Sequence, residues 1–137
     1  MADARCLPYR TGVALHTGLT ARVDLTVTEA DTALALRSGD VPVLSTPRLV
    51  ALCEEATCRA LDGHLPDGTT SVAKRVQFDH LVPVGIGGKV TAEATLDRIE
   101  GRRLTFTVAV TDGSGLVGAG KVSRVTVDRS TFLTHAR

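Results

Sequence analysis

Aromatic residues are almost missing from this chain: no tryptophan, one tyrosine and three phenylalanines in 137 residues. Nucleobases would find few rings to stack on. An excess of one charge is missing too, because 16 Lys and Arg against 15 Asp and Glu leave a net charge of +1. With both signs scattered along the chain, the basic footprint of a nucleic-acid or membrane-surface protein is excluded. No apolar run approaches the roughly 20 residues that span a bilayer, and the start lacks the basic and apolar stretches of a signal peptide. The expectation is a soluble, cytoplasmic protein with neither membrane nor nucleic acid as a partner. Cys6, Cys53 and Cys58 are an odd number without disulfide-framework or zinc spacing, which suits a reducing compartment. His16, His64 and His135 add no metal set, so no metal is expected.

What is present is enough sequence for one core, and 1–137 reads as a single domain. Residues 21–28 alternate apolar and polar, with Val23, Leu25 and Val27 on one face of a strand. A short apolar run at 32–36 and a Ser, Gly, Asp and Pro-bearing loop at 37–43 lead to a helix. Thr46 before Pro47 reads as the helix N-cap, with Pro47 at the first helical position, and the helix runs to Gly63. Strands follow at 70–78, 89–99, 102–111 and 116–127. Glu100-Gly101 and the 112–115 DGSG stretch are turn signals that make these runs antiparallel. One strand, a long helix and a meander predict an α+β fold, a curved antiparallel sheet wrapped around a long central helix.

One residue of that helix is out of place. At 100° per residue, Leu49, Val50, Cys53, Ala56, Thr57 and Ala60 form an apolar stripe, and Arg48, Glu55, Arg59 and Asp62 point away from it. Glu54 falls at the margin between Ala51 and Cys58, where a half-buried carboxylate beside small residues leaves room for a ligand. Taken without context, it could equally pair with an arginine. His80, after Phe78 and Asp79 at a strand end, reads from its neighbours alone as a surface group. The 85–88 GIGG stretch precedes a strand instead of opening a helix, so it is a turn and not a phosphate loop. Arg98, Arg102 and Arg103 read as solvated charges at the sheet edge rather than contacts to a phosphate.

The helix, the run around His80, the 100–104 EGRRL segment and the 118–124 GAGKVSR segment together resemble the fluoroacetyl-CoA thioesterase family, over about four-fifths of the chain. The resemblance implies the hot-dog fold and an acyl-CoA thioesterase. It implies catalytic roles for Thr46, Glu54 and His80, a supporting role for Arg124, and an oxyanion or substrate-positioning role for Ala73, where the family carries a glycine. It further implies a homodimer with sites built across the subunit interface, and no cofactor beyond the coenzyme A that forms part of the substrate. The family's namesake carries Phe residues before the helix, whereas 37–43 here has no aromatic residue, so the acyl group is expected to differ. Two other readings stand beside hydrolysis of a small or moderate acyl-CoA: an acyl-carrier-protein thioester as substrate, and a non-catalytic acyl-CoA or ligand-binding module.

Overall fold

A computed structural model describes residues 14–137, and Cys6 lies outside them. Five antiparallel strands form one sheet: β1 (Thr20–Thr26), β2 (Thr69–His80), β3 (Lys89–Glu100), β4 (Arg103–Asp112) and β5 (Gly115–Asp128). Their order across the sheet is β1-β3-β4-β5-β2, which leaves β1 and β2 at the two edges. Between β1 and β2 the chain makes a 3₁₀ turn at Glu29–Asp31, the short helix α1 (Ala33–Leu36) and the long helix α2 (Thr46–Leu61). A six-residue helix, α3 (Arg129–Thr134), closes the chain.

The period-two alternation of β3 and β4 sets one face of each inward, with Ala92, Ala94 and Leu96 registered against Val110, Val108 and Phe106. Against this face α2 buries Leu49, Leu52, Cys53, Ala56 and Ala60, each below 5% exposure. Ala92 and Ala94 are small where the helix lies closest to the sheet, so α2 can seat deeply on β1 and β3. The buried face of α2 matches the stripe expected from sequence with two shifts: Leu52 and Leu61 join it, and Val50 is only half buried. No helix among the described residues is long and apolar enough to cross a membrane.

Two expected boundaries are corrected, and the short apolar run takes a definite form. The β3–β4 turn is the pair Gly101-Arg102, since Glu100 is still registered against Arg103, and Gly101 takes the positive φ of 61° that the two-residue loop needs. The run at 32–36 is a helical turn begun by Thr32, whose hydroxyl accepts from the Ala35 N–H at 3.2 Å. α2 ends at Leu61, two residues before Gly63.

Candidate active site

Which residue caps α2 decides what Thr46 is free to do. The structure gives the cap to Ser45, whose hydroxyl accepts from the Arg48 N–H at 3.1 Å, and this corrects the expectation that Thr46 caps the helix. Thr46 and Pro47 are then the first two helical residues; the Thr46 N–H has no partner within the helix, and Pro47 has no N–H to leave unpaired. Released from capping, the Thr46 hydroxyl forms a 2.8 Å hydrogen bond with Nδ1 of His80. The other ring nitrogen, Nε2, is buried and has no hydrogen-bond partner among the described residues.

His80 reaches Thr46 because β5 holds the end of β2 very close. Phe78 is registered against Gly120, and His80 against Gly118. A methyl group at Gly120 would collide with the backbone of Gln77 and Phe78, and one at Gly118 with the Phe78 ring and the Asp79 carbonyl. Only glycine permits this approach. The chain is fastened again just beyond the site, where the N–H groups of Leu81 and Val82 donate to the Val117 carbonyl at 2.8 and 3.3 Å. Thr46 and His80 face a cavity of about 360 Å³ whose other walls include Val41, Val43, Leu81 and Val82.

The wall that carries Val41 and Val43 is tied to the helix start. Arg48 Nε donates to the Asp31 carboxylate at 2.9 Å, and the same carboxylate accepts from the Thr28 N–H and hydroxyl at 2.8 and 2.9 Å. Burial alone would push the Asp31 carboxyl up, but the Thr28 donors and the Arg48 guanidinium outweigh it and hold the group below its ordinary value of 3.8.

Glu54 does not join the Thr46–His80 pair within one chain. It lies eight residues further along α2, about 12 Å along the axis and about 80° around it. Its side chain is half buried, as expected from its place at the stripe's margin, and its carboxylate has no hydrogen-bond or ion-pair partner among the described residues. The arginine pairing weighed from sequence is taken by Glu55 instead, whose carboxylate holds Arg59 at 2.9 Å. On the outward side Glu54 is flanked by Ala51 and Cys58, both exposed. On the inward side it borders Cys53, whose thiol is pushed up to about 12 by burial and then by the Glu54 charge.

Arg124 and Ala73 meet at the middle of the β2–β5 pair. They are registered directly opposite each other, and the register slips between Ala73 and Arg75, so Lys74 is an extra residue in a β-bulge. Arg124 is 6% exposed and is held entirely by neutral groups. Its Nε donates to Ser71 Oγ at 2.8 Å, Nη2 to the Ser71 carbonyl at 3.0 Å and Nη1 to Thr57 Oγ1 at 3.3 Å. Thr57 Oγ1 in turn donates to the Glu54 carbonyl at 2.6 Å. A chain of polar contacts therefore links the turn of helix carrying Glu54 to the strand carrying Ala73.

Ser45, Thr57 and Ser71 were missed as site residues by sequence reasoning. Thr57 did leave a signal, because a hydroxyl on the core face of a helix must find a partner. Ser45 left one as well, since serine before a helix is a good N-cap, whereas Ser71 left none beyond being small and polar.

Residues 27–130 match the fluoroacetyl-CoA-specific thioesterase family. The chain is 32% identical over 95 residues to the fluoroacetyl-CoA thioesterase of Streptantibioticus cattleyicolor, 69% of this chain and 68% of that one. A solved structure of a fluoroacetyl-CoA thioesterase superposes with a TM-score of 0.83 at 27% identity, covering 88% of this chain and 94% of the other. A hot-dog-like protein from Thermanaerovibrio acidaminovorans superposes at 0.80 with 28% identity, covering 86% of this chain and 87% of that one. The sheet order, the central helix and these likenesses lead to one conclusion: the chain belongs to the fluoroacetyl-CoA-specific thioesterase family and is a thioester hydrolase of the hot-dog fold.

Proposed function

We propose that this protein hydrolyses a small or moderate acyl-CoA thioester as a homodimer, with Thr46 and His80 of one copy completed by Glu54 of the other. The observation that carries the proposal is the Thr46–His80 hydrogen bond at the cavity wall, made possible because Ser45 takes over capping. With the Thr46 hydroxyl donating to Nδ1, the ring proton lies on Nε2, the buried nitrogen left without a partner. Nε2–H then hydrogen-bonds to the departing coenzyme A sulfur. Glu54 takes a proton from the attacking water and passes it to that sulfur, or itself attacks the carbonyl carbon to give an anhydride that water then cleaves. The acid and free coenzyme A are the products. The Ala73 N–H serves as donor to the developing oxyanion, and Arg124 positions it through Ser71 and β2. No cofactor enters this chemistry, since coenzyme A arrives as part of the substrate.

Two features support the dimer. The strip of α2 bearing Ala51, Glu54 and Cys58 is left uncovered by its own chain. β2, twelve residues long, also presents an open edge beside it, an arrangement that invites pairing with a second copy. The relative from Streptantibioticus cattleyicolor acts on fluoroacetyl-CoA, but the aromatic-free segment 37–43 favours a different acyl group here.

The test is release of free thiol from short, branched, aromatic and fluoroacetyl-CoA thioesters by the native protein and by Glu54→Ala. Turnover that falls at least about a hundredfold in the variant supports the reading. Undiminished turnover would remove Glu54 from the mechanism. Hydrolysis confined to acyl-carrier-protein thioesters, with none of any coenzyme A ester, would overturn coenzyme A as the carrier.

A further inference from the structure

The cavity beside Thr46 and His80 has aliphatic walls broken only by the hydroxyls of Ser38, Ser45 and Thr46 and the His80 ring. Val41 and Val43 face it from the segment before α2, and Leu81, Val82 and Pro83 from the segment after β2. No lining residue is aromatic other than the His80 ring, and none carries a formal charge. Arg37 and Asp40, the charged residues nearest in sequence, do not line it. An acyl group with its own carboxylate would find hydroxyls but no Lys or Arg to offset its desolvation there.

These walls are fixed in place. The Leu44 N–H donates to the Val84 carbonyl at 2.7 Å, and the Ala33 N–H to the Val43 carbonyl at 2.8 Å. Bridges join Val43 to Gly85 and Thr32 to Leu44. The cavity is thus preformed between two segments bonded to each other, as small-molecule sites generally are. Its aliphatic walls are nevertheless left open to solvent: Leu81 is 56%, Val41 49% and Val82 42% exposed. In the dimer proposed above the second copy brings Glu54 to this site, and the aliphatic surface beside the polar pair is enclosed between that copy and a ligand.

Size narrows the ligand. A volume of about 360 Å³ holds about a dozen non-hydrogen atoms, taking roughly 30 Å³ for each water-sized group. A two-carbon acyl group with its sulfur and an attacking water fills less than half of that. An unbranched acyl group of six to eight carbons with the same sulfur and water fills nearly all of it.

Resting on the thioesterase reading above, we infer that the substrate is an uncharged, saturated acyl thioester of about six to eight carbons. The chain lies between Val41 and Leu81, and the thioester carbonyl lies at Thr46 and His80. Each added methylene buried against these walls raises kcat/KM about fourfold, so hexanoyl-CoA is turned over on the order of a hundredfold better than acetyl-CoA.

The experiment is a chain-length series from acetyl- to dodecanoyl-CoA, with malonyl-CoA and fluoroacetyl-CoA included, run with the native protein, Val41→Phe and Leu81→Phe. Both positions are half exposed, so either ring can be accommodated without unfolding, and a thermal melt confirms it. The expected result is an optimum at six to eight carbons, little malonyl-CoA turnover, and a hexanoyl-to-acetyl ratio lowered at least tenfold in each variant. A flat series, or one led by acetyl- or fluoroacetyl-CoA, overturns the inference and leaves thioester hydrolysis standing. Non-hydrolysable S-alkyl-CoA thioethers read the same cavity without chemistry, so the inference is decided even if every thioester is inert. Affinity rising about fourfold per methylene up to six carbons supports it, and equal affinity for S-methyl- and S-hexyl-CoA overturns it.

Discussion

Mixing two inactive variants should restore activity if, as proposed, Glu54 and the Thr46–His80 pair share a site only across a dimer. Within one chain Glu54 stands about 12 Å along α2 from Thr46 and about 80° around it, beyond what two side chains on one rigid helix can close. His80 cannot bridge that gap, since Nδ1 is already bound to Thr46. Glu54→Ala and His80→Ala are each expected to lower kcat/KM at least about a hundredfold as homodimers.

When equal amounts of the two are exchanged, homodimers and heterodimers form in a ratio of about 1:2:1, so half the dimers are mixed. If Glu54 acts on the other copy's site, each mixed dimer carries one complete site and one lacking both groups. About a quarter of the native rate then returns. If all three residues act within one chain, every site in the mixed dimer lacks one group, and nothing returns. The assay is thiol release after denaturant-assisted exchange, with the mixed dimer quantified by native mass spectrometry. A verified mixed dimer with no activity above the parents would refute the shared site.

Three further outcomes follow from the local geometry. Thr46→Val should cost turnover at least tenfold while leaving stability within about 0.5 kcal/mol, since Ser45 still caps the helix, whereas Ser45→Ala should cost about 1 kcal/mol in a urea melt. Equal stability losses would return the cap to Thr46. In the folded protein at pH 8, iodoacetamide should label Cys58 and spare Cys53, because a thiol pushed up to about 12 holds almost no thiolate, and labelling of both at one rate would contradict the burial argument. Asp31→Asn should cost roughly 1.5–3 kcal/mol at pH 7 by weakening the charged hydrogen bonds to Thr28 and Arg48. The folded-state pKa of Asp31 is depressed, so this contribution is complete above the ordinary value of 3.8 and lost as pH falls through the lower folded value. Urea midpoints of the native and variant proteins should therefore converge in acid, and a gap that persists below pH 2 would count against it.

The strands and the helix were legible because their signals are local. Alternation in β3 and β4 and the 100° stripe on α2 each lie within one segment, and the margin position of Glu54 follows from the same angle count. Thr46 was misread because Ser45 and Thr46 are both good cap residues, and the preference of proline for the first helical position pointed to Thr46. What selected Ser45 is tertiary: it is buried, and its N–H donates to the Asp31 carbonyl at 3.0 Å. α3 went unseen because six residues are too few to show a helical period. The Arg124 contacts join residues 53 and 67 positions apart, and no pattern within a segment can register them.

One stretch of β5 supports both halves of the proposed site without lining the cavity beside Thr46 and His80. At one end of the 118–124 segment, Gly118 and Gly120 let the end of β2 come close enough for His80 to meet Thr46. At the other end, Arg124 reaches past Ser71 to Thr57 and so fixes the turn of α2 that carries Glu54, opposite Ala73. The two ends lie about 20 Å apart along an extended strand. The two half-sites they support stand closer together, about 12 Å apart along α2. In a two-fold dimer, each half of one copy can then meet the complementary half of the other. The GAGKVSR segment is therefore recognisable for a physical reason: the glycines cannot gain a Cβ without colliding with β2, and the arginine cannot shorten without losing its hydrogen bonds to Thr57 and Ser71. Its composition is set by the close approach of β2 at one end and the hydrogen bonds of Arg124 at the other.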